Sequence, residues 1–342
     1  DTEFTTGMYL AVLYNHAYSA ISQIYSANTE LDTSKEGYYR NEKIDGKVFG
    51  DYVTEKTLES LKNIVAVEAY MKNNDIALTE EEESNFKENA LLLWNTKFTY
   101  DDEDNYSLGK YLENNGVAKS TYLSMLRGLQ LNDIAFEKMY GAEGKKAITE
   151  DEIKAYFNEH YLVVNEISTT TYSSKTDEEK ASIKAKYEEC EANVNSGKMT
   201  FEAAYAELSA LESTDDETGS TESATPNDSY LTEDSGDDYT TAKDMANNTA
   251  KLIAMDDDAG FRLIYKKDIT ADTQGATTYD SAIRQALKGE EFQNELDAIL
   301  KKMKTKKYDS ALSAVKVDKI LFEKYCEVYQ MSINAISGTY YQ

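Results

Sequence analysis

The chain has 342 residues, with 36 Lys+Arg against 63 Asp+Glu, a formal net charge of −27 and apolar types at 41%. Such a composition belongs to a globular protein of two or three domains rather than to a disordered chain. With Arg40, Arg127, Arg262 and Arg284 as its only arginines, it lacks the counterion-release term of nucleic-acid binders and is unsuited to docking on anionic lipid.

No run approaches the roughly 18 consecutive apolar residues of a membrane span, so no direct insertion of this stretch is expected. The chain opens Asp1-Thr2-Glu3-Phe4, without an initiator Met or a basic n-region, as it would if a leader had been trimmed. Cys190 and Cys326 lack a Cys-x-x-Cys partner or a His cluster and read as two unrelated structural thiols. The one proline, Pro226, favours long helices, and tyrosine reaches 27.

From Gly7 to about Asn28, apolar residues recur at helical spacing and predict a helix with a wide apolar face. A Gly-, Lys- and Asp-rich loop covers Lys35 to Gly50, and Leu58, Leu61, Ile64, Val65, Val67, Ala69 and Met71 predict a second helix. Thr79 and Glu82 form a capping box for a third, running through Phe86, Ala90, Leu91 and Trp94. Tyr100 to Tyr106 reads as an acidic loop; Leu123 to Phe136 predicts a fourth helix ending near Gly141. Up to that point the reading is all helical.

Thr149 and Glu152 form another capping box, with Ile148 and Ile153 placed as a hydrophobic staple, and this short helix ends near Tyr161. Leu162 to Tyr172 is β-branched and predicts a strand. Thr176 with Glu179 caps a helix that Gly197 stops, and Thr200 opens a shorter one. Residues 212–244 carry Ser, Thr, Asp and Glu with few apolar side chains and read as a mobile acidic loop. Lys251–Met255 and Phe261–Tyr265 predict an antiparallel hairpin whose turn is Asp256-Asp257-Asp258-Ala259-Gly260. A long helix then starts at Asp280 and runs into a basic tail, Lys301 to Lys307.

The order is a helical N-terminal part, a β-α-α-loop-α-β-β module and a terminal helix. With Ala147-Ile148-Thr149-Glu150-Asp151-Glu152-Ile153-Lys154-Ala155-Tyr156-Phe157 leading into the strand, and Gly197-Lys198-Met199-Thr200-Phe201 through Ser209 in a G-x-x-F-x-x-x-A-x-x-x-S pattern, the chain resembles the extracytoplasmic foldases of the PrsA and SurA group. These carry a parvulin-type peptidyl-prolyl isomerase domain. The resemblance implies an α+β, mostly α fold, with a helical chaperone domain at 1–158, a parvulin-like antiparallel-sheet domain at 159–270 and a C-terminal helix in 271–342 returning to the helical part.

In active relatives two histidines, on the first and last parvulin strands, line the proline site. Glu166 and Arg262 fall at the matching positions here, and neither His16 nor His160 matches. Parvulin-type catalysis lowers an amide-rotation barrier of roughly 18–20 kcal/mol in an apolar pocket with a tuned polar network. A carboxylate and a guanidinium would alter that pocket and are expected to pair with each other instead. No catalytic residue is therefore expected.

The aromatics Trp94, Phe98, Tyr100, Tyr122 and Phe136 are candidates for a peptide-binding crevice, with core packing as the alternative. The Asp256-Asp257-Asp258 run lacks EF-hand spacing and reads as a turn, and neither a phosphate loop nor a nucleophile elbow is present, so no metal or cofactor is expected. The resemblance implies a chaperone for unfolded or partly folded exported proteins, located outside the cytoplasmic membrane on an upstream lipidated cysteine, as a monomer or dimer. High negative charge would keep it soluble and repel acidic clients. An active isomerase with shifted residues and a surface module for one dedicated partner are the alternatives.

Overall fold

Thr5 accepts a hydrogen bond from the Met8 amide and starts α1, Thr6–Ala27. Its wide apolar stripe is buried as the patterning requires, with Val12, Leu13, Ala17 and Ala20 fully enclosed. The loop that follows closes with a small hairpin, β1 (Lys43–Ile44) and β2 (Lys47–Val48), before α2, Phe49–Asn73. The Thr79–Glu82 capping box is present and begins α3, Glu80–Asn95.

In this computed structural model the described residues are 2–338 apart from 102, 171, 213–224, 257, 258 and 273. The stretch read as a loop at Tyr100–Tyr106 is a correction: β3 (Lys97–Tyr100) and β4 (Glu103–Ser107) pair antiparallel, with Phe98 opposite Tyr106. Asp101 in the turn and Asn105 at a register shift within β4 both take left-handed backbone, at φ of 49° and 65°. The aromatic pair across the strands outweighs the polar composition. Then α4 (Leu108–Asn114) and α5 (Lys119–Tyr140) follow.

Thr149 and Glu152 form the predicted box at α6, Glu150–His160, and the staple residues Ile148 and Ile153 are both buried. β5 (Leu162–Ser168) comes next, then α7 (Asp177–Asn195) behind the Thr176–Glu179 box and α8 (Phe201–Glu212). The region read as an acidic loop also needs correction. Residues 213–224 lie outside the described residues, but beyond them come β6 (Ser229–Leu231) and α9 (Asp237–Lys243).

Few apolar residues suffice to fold that stretch, because two of them are enclosed and polar residues around them find partners. Tyr239 and Ala242 are buried. Asp228 takes hydrogen bonds from Asn165 Nδ2 at 2.7 Å and Lys267 Nζ at 2.8 Å, and buried Lys266 donates to the carbonyls of Lys243 and Met245 at the end of α9.

The predicted hairpin is β7 (Thr249–Met255) and β8 (Gly260–Lys266), and the sheet runs β6-β5-β8-β7, antiparallel throughout. One face, with Ile167, Ala250 and Leu263, packs on Ile183, Tyr187 and Cys190 of α7 and on Phe201, Ala204 and Leu208 of α8. The other face carries Val164 and Ile264 against Ala242.

After α10 (Gly275–Thr278), α11 spans Asp280–Leu300. In place of the single terminal helix of the sequence reading, the described residues form α11 and then α12 (Asp309–Ala314) and α13 (Phe322–Ser337). Two compact units result, one of residues 1–147 with 288–342 and one of residues 148–287. The fold is thus mostly helical, with a small antiparallel-sheet unit inserted in sequence into a helical unit made from both ends of the chain.

Candidate functional site

Register fixes what the sheet presents. β5 and β8 pair Glu166 with Ile264 and Ser168 with Arg262, and paired residues point to the same face, so Glu166 and Arg262 are diagonal neighbours on one face. Arg262 Nη1 donates to Glu166 Oε2 at 3.4 Å, the pairing expected from the sequence.

Its stronger partner was not singled out for this role: Asp238 on α9 accepts from Nη1 at 3.2 Å and makes a closer contact with Nη2. The hydrogen bond to Asp238, reinforced by the charges of Asp238 and Glu166, holds the Arg262 guanidinium above its ordinary pKa despite partial burial. Only the reading of residues 212–244 as a loop hid Asp238; its neighbours Tyr239 and Ala242, at helical spacing from one another, were the available signal.

A guanidinium fixed by two carboxylates has no proton to exchange near neutral pH. The cluster ties α9 to the sheet, and its guanidinium supplies no general acid or base. The histidines lie in other settings. His160, on α6, stacks on Tyr156 with ring centroids 4.0 Å apart, and His16, on α1, has Nε2 2.8 Å from Ser60 Oγ.

The five aromatics named from the sequence do not form one crevice. Trp94 and Tyr122 pack on each other inside the helical core, with centroids 5.2 Å apart. Phe136 is buried against Tyr140 and Phe292. Phe98 and Tyr100, half-buried, sit on the β3–β4 hairpin beside Tyr106, and the Tyr100 hydroxyl donates to Glu327. Trp94, Tyr122 and Phe136 are thus corrected to core residues: large rings at helical spacing fill an interhelical space before they line a groove.

The helical unit does have an open crevice, of about 720 Å³, elsewhere. Its walls come from the segment before α1, from α1 and α2, from the stretch after α11 and from α12. Phe4, Leu58, Val65, Leu312 and Val315 supply apolar surface, each half-buried. A cleft of that volume accepts several side chains of an extended peptide.

No family model matches the sequence, and no curated protein matches it. Solved structures of foldase protein PrsA are similar to this chain at low identity. The protein from Streptococcus pneumoniae is 14% identical at a TM-score of 0.33, covering 84% of this chain and 98% of its own. That from Lactococcus lactis is 13% identical at 0.31, covering 80% and 89%, and that from Bacillus subtilis is 13% identical at 0.23, covering 79% and 96%.

Proposed function

We propose that this chain is an extracytoplasmic, lipid-anchored foldase-like chaperone that holds unfolded segments of exported polypeptides in the crevice of its helical unit. In this reading the sheet unit has the parvulin scaffold without isomerase activity. The observation that carries the loss of catalysis is Arg262, held by Asp238 and Glu166 where the resemblance implies imidazoles. The open apolar crevice supports the holding role.

The test measures two activities on the purified chain, cis-to-trans isomerisation of a short X-Pro peptide and suppression of aggregation of several unrelated unfolded proteins. The expected result is no isomerisation with clear suppression, the latter weakened by Leu58→Asp or Leu312→Asp. Isomerisation lost in Glu166→Ala or Arg262→Ala would overturn the assignment of a non-catalytic sheet unit. Failure to suppress aggregation, with capture of a single partner, would replace the chaperone with a dedicated binding module.

A further inference from the structure

The crevice is unlike the rest of the chain in charge. Lys62, Lys304, Lys306 and Lys307 line it, against Glu3 as the one carboxylate among its lining residues. Three of these lysines belong to Lys301-Lys302-Met303-Lys304-Thr305-Lys306-Lys307, a run with no acidic residue in a chain of net charge −27. Elsewhere carboxylates capture lysines readily, as in Lys47–Glu55, Lys138–Glu82 and Lys186–Glu207.

The four crevice lysines make no side-chain hydrogen bond or ion pair among the described residues; Lys306 alone has a further contact, its ammonium 5.1 Å from the centre of the Tyr308 ring. Apolar walls and uncompensated ammonium groups therefore share one cleft. Charges beyond about 8 Å are screened at physiological ionic strength, so the potential a bound segment meets is set by the four lysines and the carboxylates beside them, Glu3, Asp309 and the Lys56-paired Glu59, and not by the excess elsewhere in the chain.

We infer that the crevice selects extended polypeptide segments in which apolar residues are flanked by Asp or Glu. This rests on the chaperone reading above and reverses, for this site, the repulsion of acidic clients expected from net charge. Long polyanions are poor occupants, since nucleic acid or an anionic bilayer would meet the −27 of the whole chain. A short segment with two or three carboxylates does not extend beyond the lysine cluster.

The test is fluorescence polarisation with short labelled peptides that share the same Leu and Phe residues and differ only in having Asp, Asn or Lys flanks. The Asp peptide is expected to bind about five- to tenfold tighter than the Asn peptide, the scale of two or three exposed ion pairs. The preference should vanish in a Lys304→Gln/Lys306→Gln/Lys307→Gln chain and at high salt, while the Asn peptide still binds. Equal binding of all three peptides would overturn the charge selection and leave the chaperone reading standing, whereas binding of none would overturn both. Displacement of the Asp peptide by laurate at lower concentration than by unlabelled peptide would instead make the crevice a site for anionic amphiphiles. Self-association abolished by the triple substitution would make its occupant a second copy of the chain.

Discussion

His16 shows how one side chain can report on the helical unit. Burial, helped by the charge of Lys56, lowers its pKa below the ordinary 6.5, with Glu59 opposing. A group whose folded-state pKa is depressed takes up its proton first in the unfolded chain, so folding is undisturbed above pH 6.5 and weakens as pH falls below it. The carboxylates with lowered values, among them Glu83 held by Arg127, act in a separate window near and below pH 4.5. The denaturant midpoint of the helical unit should therefore fall between pH 7 and about 5 in the wild-type chain and stay flat over that range in His16→Gln. Arg262 belongs to the same scale: Asp238→Asn should cost about 1 kcal/mol or less in the stability of the sheet unit, as expected of a partly exposed pair, measured by the same unfolding experiment.

Among the elements, α13 was the one the sequence reading missed with most effect. Phe322, Tyr325, Val328 and Ser332 are buried on it, a spacing close to a helical stripe, but the preceding Lys-rich tail masked the start. Phe322 is enclosed by Tyr14, Tyr39 and Phe49, with centroids 5.6, 6.3 and 5.6 Å away. Its amide donates to Tyr39 Oη, which in turn donates to Glu323. Phe322→Ala should cost about 3–5 kcal/mol, read from the denaturant midpoint. Capping boxes at Thr79, Thr149 and Thr176 were legible because the residues that make them are three apart in sequence. The strand β6 and the Asp238 ion pair were not, since Asn165, Lys267 and Arg262, which hold them, come from β5, the end of β8 and β8 itself, and α9 showed only in the spacing of Tyr239 and Ala242. Likewise the crevice joins the segments around Phe4, Leu58 and Leu312, a juxtaposition no local pattern encodes.

At the scale of the whole molecule, each unit has a core of its own, one centred on α1, α2, α5 and α13 and one on the face of the sheet against α7 and α8. Unfolding followed by two probes should therefore resolve two transitions. Phe322→Ala should lower one and Leu263→Ala the other, each leaving its counterpart in place; a single transition moved equally by both changes would show one cooperative block. The charge of −27 adds a shared effect: self-repulsion opposes compaction, so moderate sodium chloride should raise both midpoints.

The split origin of the helical unit also sets an order in time. A chain made or delivered from its N-terminus presents α1 to α5 long before Phe322 arrives, whereas the sheet unit is contiguous and can close as soon as Leu287 has emerged. At about 5–20 residues per second, Tyr14, Tyr39 and Phe49 wait for tens of seconds or less with their apolar faces open. During synthesis the N-terminal helices are thus an unfinished half-core, exposed in the same way as the segments this chain is proposed to hold, until α13 arrives to cover them.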